Sequence, residues 1–142
     1  MDPNDRIITD STPTTAVQVR VDADLTQIVM LRALTETVAL IAGFDVDEVA
    51  DMRVALDESA TCLVLGAVPG SSVRCEVLAD DFRITVAVHG VCADPAPMDT
   101  AGFGWHVLHS ITDHLDTTHA PFDRTLGGYP VAVSFTQIRR VR

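Results

Sequence analysis

Two adjacent carboxylates, Asp57 and Glu58, interrupt the apolar stretch VALDESATCLVLGA. Around them Val49, Met52, Val54, Ala55, Leu56, Ala60, Leu63 and Val64 fall on one broad stripe at helical spacing. Glu58 and Cys62 stand four residues apart and share a helix face. Burying a carboxylate without a partner is costly. Either the pair faces solvent at the edge of the stripe, or Glu58 has a chemical task. A second cluster is AGFGWHVLHSITDHL, where Gly102 and Gly104 open a helix. Such a turn offers backbone N–H groups to a phosphate. The same glycines equally allow a tight entry and close packing. His106 and His109 are three apart on that helix, with His114 and His119 beyond. A metal site there needs acidic or thiol partners converging on the histidines. The sequence assures none, so no metal is expected. Arg32 is a charged position on the first helix, among the polar residues Thr26, Gln27, Thr35 and Glu36.

The elements that position these residues follow from period and punctuation. The central helix spans 46–67, capped by Asp45 with Glu48 three residues on, an acidic capping box. Gly66 and Pro69-Gly70 end it. Before it, residues 14–22 alternate Val17, Val19 and Val21 against Gln18, Arg20 and Asp22, as a half-buried strand does. A helix over 25–42 follows, with Ile28, Leu31, Leu34, Val38 and Ile41 on one side, Asp24 as N-cap and Gly43 as stop. After the central helix the period switches to two. Strands over 72–78 and 82–89 form a hairpin around Ala79-Asp80-Asp81. Residues 90–100 read as loop, 103–114 as helix, 115–119 as a short strand, 121–128 as a turn region and 129–139 as a last strand. This order predicts an α+β fold: a two-layer α/β sandwich, its sheet mixed and mostly antiparallel, its helices on one face.

The 142 residues suit one domain, here 14–142, behind a polar tail over 1–13 that reads as disordered. Hydrophobic residues make up 47%, enough for a sizeable core. No run of 18 apolar residues and no signal-peptide pattern occurs, so a cytoplasmic protein with no membrane contact is expected. Cys62, Cys75 and Cys92 are odd in number and lack CxxC spacing, which suits reduced thiols. A net charge of −10 argues against direct nucleic-acid binding and permits a basic protein partner.

ALDESATCLVLGA resembles the N-box of the RsbW-type anti-sigma-factor serine kinases, within the superfamily of histidine-kinase-like (Bergerat-fold) ATPases. AGFGWHVLHSITDHL resembles that family's second glycine box. The order of elements agrees over roughly 14–139. The resemblance implies the family's sandwich fold. It also implies an anti-sigma factor that sequesters an alternative, stress-response type sigma factor, is countered by an anti-anti-sigma factor, and forms a homodimer. An active kinase that phosphorylates that antagonist with ATP and Mg²⁺ is the alternative. By the same resemblance Glu58 keeps the catalytic carboxylate, and Gly90, Gly102 and Gly104 keep nucleotide-site glycines. Three positions depart from the family. Cys62 replaces the asparagine that holds Mg²⁺, Val88 replaces the aspartate that receives the adenine amino group, and Cys92 replaces a second glycine. The lid between the glycine motifs is reduced to 94–101. ATP is therefore not expected to bind tightly, and the enzyme reading leans to inactive. The family binds its sigma factor through the first strand and first helix, which implies Arg20, Arg32 and Glu36 as partner-binding positions.

Overall fold

The computed structural model describes residues 14–140. The tail expected over 1–13 and the last two residues lie outside the described residues. Five strands and three helices follow in the order β1 (Thr15–Asp22), α1 (Ile28–Ile41), α2 (Val46–Gly66), β2 (Ser72–Ala79), β3 (Arg83–Cys92), α3 (Phe103–Ile111), β4 (His114–His119) and β5 (Tyr129–Ile138). The strands lie in the sheet order β1-β2-β3-β5-β4, and each of the four ladders is antiparallel. The sheet expected to be mixed is thus antiparallel throughout the described residues. Helices pack on one face, and the two-layer sandwich read from the periodicity is the observed architecture.

Strand alternation makes the core. Val73, Cys75 and Val77 of β2, Ile84, Val86, Val88 and Cys92 of β3, and Val131, Val133 and Phe135 of β5 all face the helices and are buried. Against them α2 lays Met52, Ala55, Leu56, Ala60 and Leu63, all without exposure. Burying such a side chain contributes roughly 1.5–3 kcal/mol. Val54, expected on the buried stripe, is 44% exposed at the stripe's edge.

The helix ends are held as the sequence indicated. Asp45 accepts from Glu48 N at 2.7 Å, and the Glu48 carboxylate accepts from Asp45 N at 2.9 Å. The other Glu48 oxygen accepts from Arg140 N at 2.8 Å, so this buried carboxylate also ties down the chain after β5. Asp24 accepts from Thr26 N at 2.9 Å and caps a short 3₁₀ turn, Leu25–Gln27, that leads into α1. Gly43, at φ 88°, lets the chain leave α1 in a conformation other residues disfavour.

Two boundaries differ from the sequence reading. β3 runs on through Gly90, Val91 and Cys92, which pair with Val131, Pro130 and Tyr129. Gly90 packs beneath α2, where a Cβ would stand at ordinary contact distance, 3.5 Å, from Leu63 Cβ. At the other end α3 stops at Ile111 rather than His114. Thr112 turns its hydroxyl to Leu108 O at 2.6 Å, and His114 joins β4 opposite Thr136.

Candidate functional site

Glu58 and Cys62 lie one turn apart on α2, on the side turned toward α3 and the end of β3. α3 enters through Gly102, whose N–H reaches Asp99 O at 3.0 Å, with Ala101 N on Asp99 Oδ1 at 3.0 Å. Gly104 lies in the first turn, directly against Glu58: an added Cβ would overlap the Glu58 carboxylate. The carboxylate thus sits where the positive end of α3 favours a negative charge. Here Gly104 serves the close approach of two helices, while Gly102 packs on Asp99 of its own turn.

Cys62 is half-buried, and burial followed by the Glu58 charge pushes its thiol pKa up. Burial pushes Cys92 up to about 11, with the neighbouring Cys62 and Asp94 adding to it. Cys92 Sγ stands 3.8 Å from Leu63 O. Protonated thiols are poor ligands for Mg²⁺, which wants oxygen. Val88 lies in register between Cys75 and Val133, wholly buried, with no polar side-chain atom for an adenine. The segment 93–101 folds down onto the end of α2, so that a Cβ at Gly66 would stand 3.0 Å from Pro97 Cβ. Beneath that segment, against β4 and β5, is a cavity of about 80 Å³. Pockets for molecules of nucleotide size run to roughly 300–1,000 Å³. The structure therefore brings Glu58 against Gly104 and sets Cys62 near Glu58 and Cys92, with Val88 and Gly90 buried in β3.

The partner-binding candidates separate. Arg32 and Glu36 are one turn apart on α1, both half-buried. The Arg32 guanidinium grips Asp57 of α2, with Nε to Oδ1 at 3.1 Å and Nη2 to Oδ2 at 3.1 Å. Neither the pairing nor this task for Asp57 was visible in the sequence. Arg20 points from the opposite face of the sheet, where it donates to Ser72 Oγ at 2.9 Å. It shares no surface with Arg32 and Glu36. Along the solvent side of α1 run Val29, Met30, Leu40 and Ile41, between 46% and 70% exposed. Leu25 before the helix and Val54 on α2 are exposed apolar residues as well.

The histidines do not converge. His106 is exposed, the His109 ring lies 6.4 Å from that of Trp105, and His114 and His119 sit at the two ends of β4. Among the described residues no group of three His, Cys, Asp or Glu could hold a metal ion. No helix among them is long and apolar enough to cross a membrane.

An antiparallel five-stranded sheet with helices on one face, and Glu58 set against the helix that Gly102 opens, make a two-layer α+β sandwich consistent with the histidine-kinase-like ATPase fold. No protein-family model matches the chain. Anti-sigma-F factor RsbW of Mycobacterium tuberculosis, in strains CDC 1551 / Oshkosh and ATCC 25618 / H37Rv, is 29% identical over 124 residues. That alignment covers 87% of this chain and 74% of the relative. Among solved structures the chain is similar to the crystal structure of the RsbU and RsbW domains of Rv1364c from Mycobacterium tuberculosis, with a TM-score of 0.66 at 17% identity. The match takes in 91% of this chain but spans about a third (34%) of that one, and it supports the fold. The resemblance to RsbW-type anti-sigma factors therefore holds beyond the motifs that first suggested it.

Proposed function

We propose that this chain is an anti-sigma factor that works by sequestration. It binds an alternative, stress-response type sigma factor in the cytoplasm, as a homodimer, and yields it to an anti-anti-sigma antagonist. The observation that carries the reading is the exposed apolar side of α1, with Val29, Met30, Leu40 and Ile41 beside the Arg32–Asp57 pair. Apolar side chains grouped with a bidentate arginine are what interface hot spots are made of. The RsbW relatives support the class of partner. The charge of −10 suits a basic partner and leaves nucleic acid to that partner rather than to this chain.

Serine-kinase activity is the rival. Glu58, Gly102 and Gly104 favour it. Against it stand the buried Val88, the protonated Cys62 and Cys92, and the segment 93–101 packed onto α2. In this reading the chain needs neither ATP nor Mg²⁺. The deciding experiment is transcription in vitro by RNA polymerase carrying the sigma factor encoded nearby. Added protein should silence that promoter without nucleotide-dependent preincubation, and an anti-anti-sigma factor should restore it. Full transcription at excess protein, or labelled phosphoserine on the antagonist after incubation with Mg-ATP, would reject the reading.

A further inference from the structure

On the sheet face away from the helices, β1, β2 and β3 carry three basic side chains in one register row. Arg20 lies opposite Arg74, and Arg74 opposite His89. The row continues to Ala132 of β5 and Thr118 of β4. Cross-strand neighbours stand about 5 Å apart, and like charges in that relation destabilise a sheet. Here the side chains are held in place rather than splayed. Arg20 is fixed by Ser72. Arg74 bonds Glu76 and reaches Gln18 Oε1 at 3.4 Å. His89 Nε2 lies 3.1 Å from Glu76 Oε1. One carboxylate thus serves Arg74 and His89 together, and Arg20 has only a hydroxyl. Within a chain of net charge −10, two arginines thus face each other across the strands beside the single paired carboxylate of Glu76.

The row lies along a groove of about 780 Å³. The turn after α2, with Pro69 and Gly70, lines it on one side, and Thr125 and Leu126 line it on another. Val91 and Pro130 add apolar surface. Charge is concentrated on one part of the groove and apolar surface on another, at a volume typical of small-molecule sites.

We propose that this groove binds a small phosphorylated molecule. Its phosphate lies between the Arg20 and Arg74 guanidinium groups and the Ser72 hydroxyl, and its body rests on Val91, Pro130 and Leu126. The planar fork of arginine matches phosphate oxygens, and an anion there relieves the repulsion between the facing cations. Turns bound the groove on two sides, which favours a compact ligand over a stretch of protein. The groove lies on the opposite layer from α1, so the ligand and a protein on α1 do not compete for space.

The test is a ¹⁵N–¹H correlation titration of the full chain with inorganic pyrophosphate and then with AMP, at ionic strength held constant with sodium chloride. Both should give saturable shifts at the amides of Arg20, Ser72, Arg74 and His89, and AMP should also move Val91 and Leu126. Arg20→Gln sits on an exposed strand position, keeps the fold by circular dichroism, and should weaken binding several-fold. The Arg20→Gln/Arg74→Gln pair should weaken it by roughly tenfold or more. Four outcomes would overturn the proposal: no saturable shift at millimolar ligand; unchanged affinity in both variants; shifts centred on Glu58, Gly102 and Gly104; or a polyglutamate peptide moving these amides while pyrophosphate and AMP leave them still.

Discussion

Replacing Arg32 separates its hold on Asp57 from its proposed contact with a partner. Its two N–H groups grip Asp57 at 3.1 Å each, and the side chains are 26% and 36% exposed. Charge-assisted forks are strong when dry, but water reaches this one, and exposed pairs typically contribute ~0.2–1 kcal/mol. Adding the loss of packing by its aliphatic stem, Arg32→Ala should cost the fold about 1 kcal/mol, a fall of about 4 °C in Tm. Its effect on sigma-factor binding should be larger, ~1–3 kcal/mol, or roughly 5- to 150-fold in Kd. Asp57→Asn keeps the shape but loosens the grip, leaving the guanidinium free for a partner carboxylate. It should therefore lower Tm by no more than Arg32→Ala and weaken binding clearly less. Thermal melts and surface plasmon resonance on both single variants and the double variant close the cycle. If Asp57→Asn weakens binding as much as Arg32→Ala, Arg32 acts only by holding α1 to α2, and the contact with the partner is refuted.

Two glycines that look alike in the sequence should respond differently to alanine. At Gly128 the new Cβ would stand 2.7 Å from Cys92 O and 2.9 Å from Val68 Cγ1, so Gly128→Ala should cost ~1–3 kcal/mol in urea unfolding. At Gly104 only the movable Glu58 carboxylate is in the way, and alanine favours the helix, so that variant should stay within about 1 kcal/mol of wild type. The reverse order would contradict the packing described. Burial raises Cys75 and Cys92 from an ordinary 9.0 to about 11. The folded state then holds these protons more tightly than the unfolded one. This contribution to stability is complete below pH 9 and is lost as pH rises toward 11. Denaturant midpoints should fall across that window, and fall less in a Cys75→Ala/Cys92→Ala variant. At pH 8 both native thiols should resist iodoacetamide, and alkylation as fast as in denaturant would refute their burial.

Much of this arrangement was legible because period and capping are local. The Asp45–Glu48 box, the alternation of Val17, Val19 and Val21, and the stop at Gly43 need only near neighbours. The end of β3 was not legible. Gly90 and Cys92 have loop composition, and only the ladder to Tyr129–Val131 and the cover of Leu63 make them strand. The Arg32–Asp57 pair joins residues 25 apart on two helices, so no periodic signal marks it. Grouping Arg20 with Arg32 followed nearness in the chain. Yet the alternation in β1 already put Arg20 opposite the apolar side that meets the helices. The row of Arg20, Arg74 and His89 exists only through strand register, which the sequence does not specify.

If α1 takes the sigma factor, a charge placed in its exposed apolar stripe should disrupt the complex. Val29 is 57% exposed and packs little, so Val29→Glu leaves the fold intact while placing a charge within the apolar stripe. Isothermal titration of the sigma factor into wild type and Val29→Glu, each with and without Mg-ATP, measures this directly. Wild-type binding should be saturable and unchanged by Mg-ATP, and Val29→Glu should lose at least roughly tenfold in affinity at unchanged Tm. Equal binding by the two proteins, or wild-type binding that appears only with Mg-ATP, would contradict nucleotide-independent binding through α1.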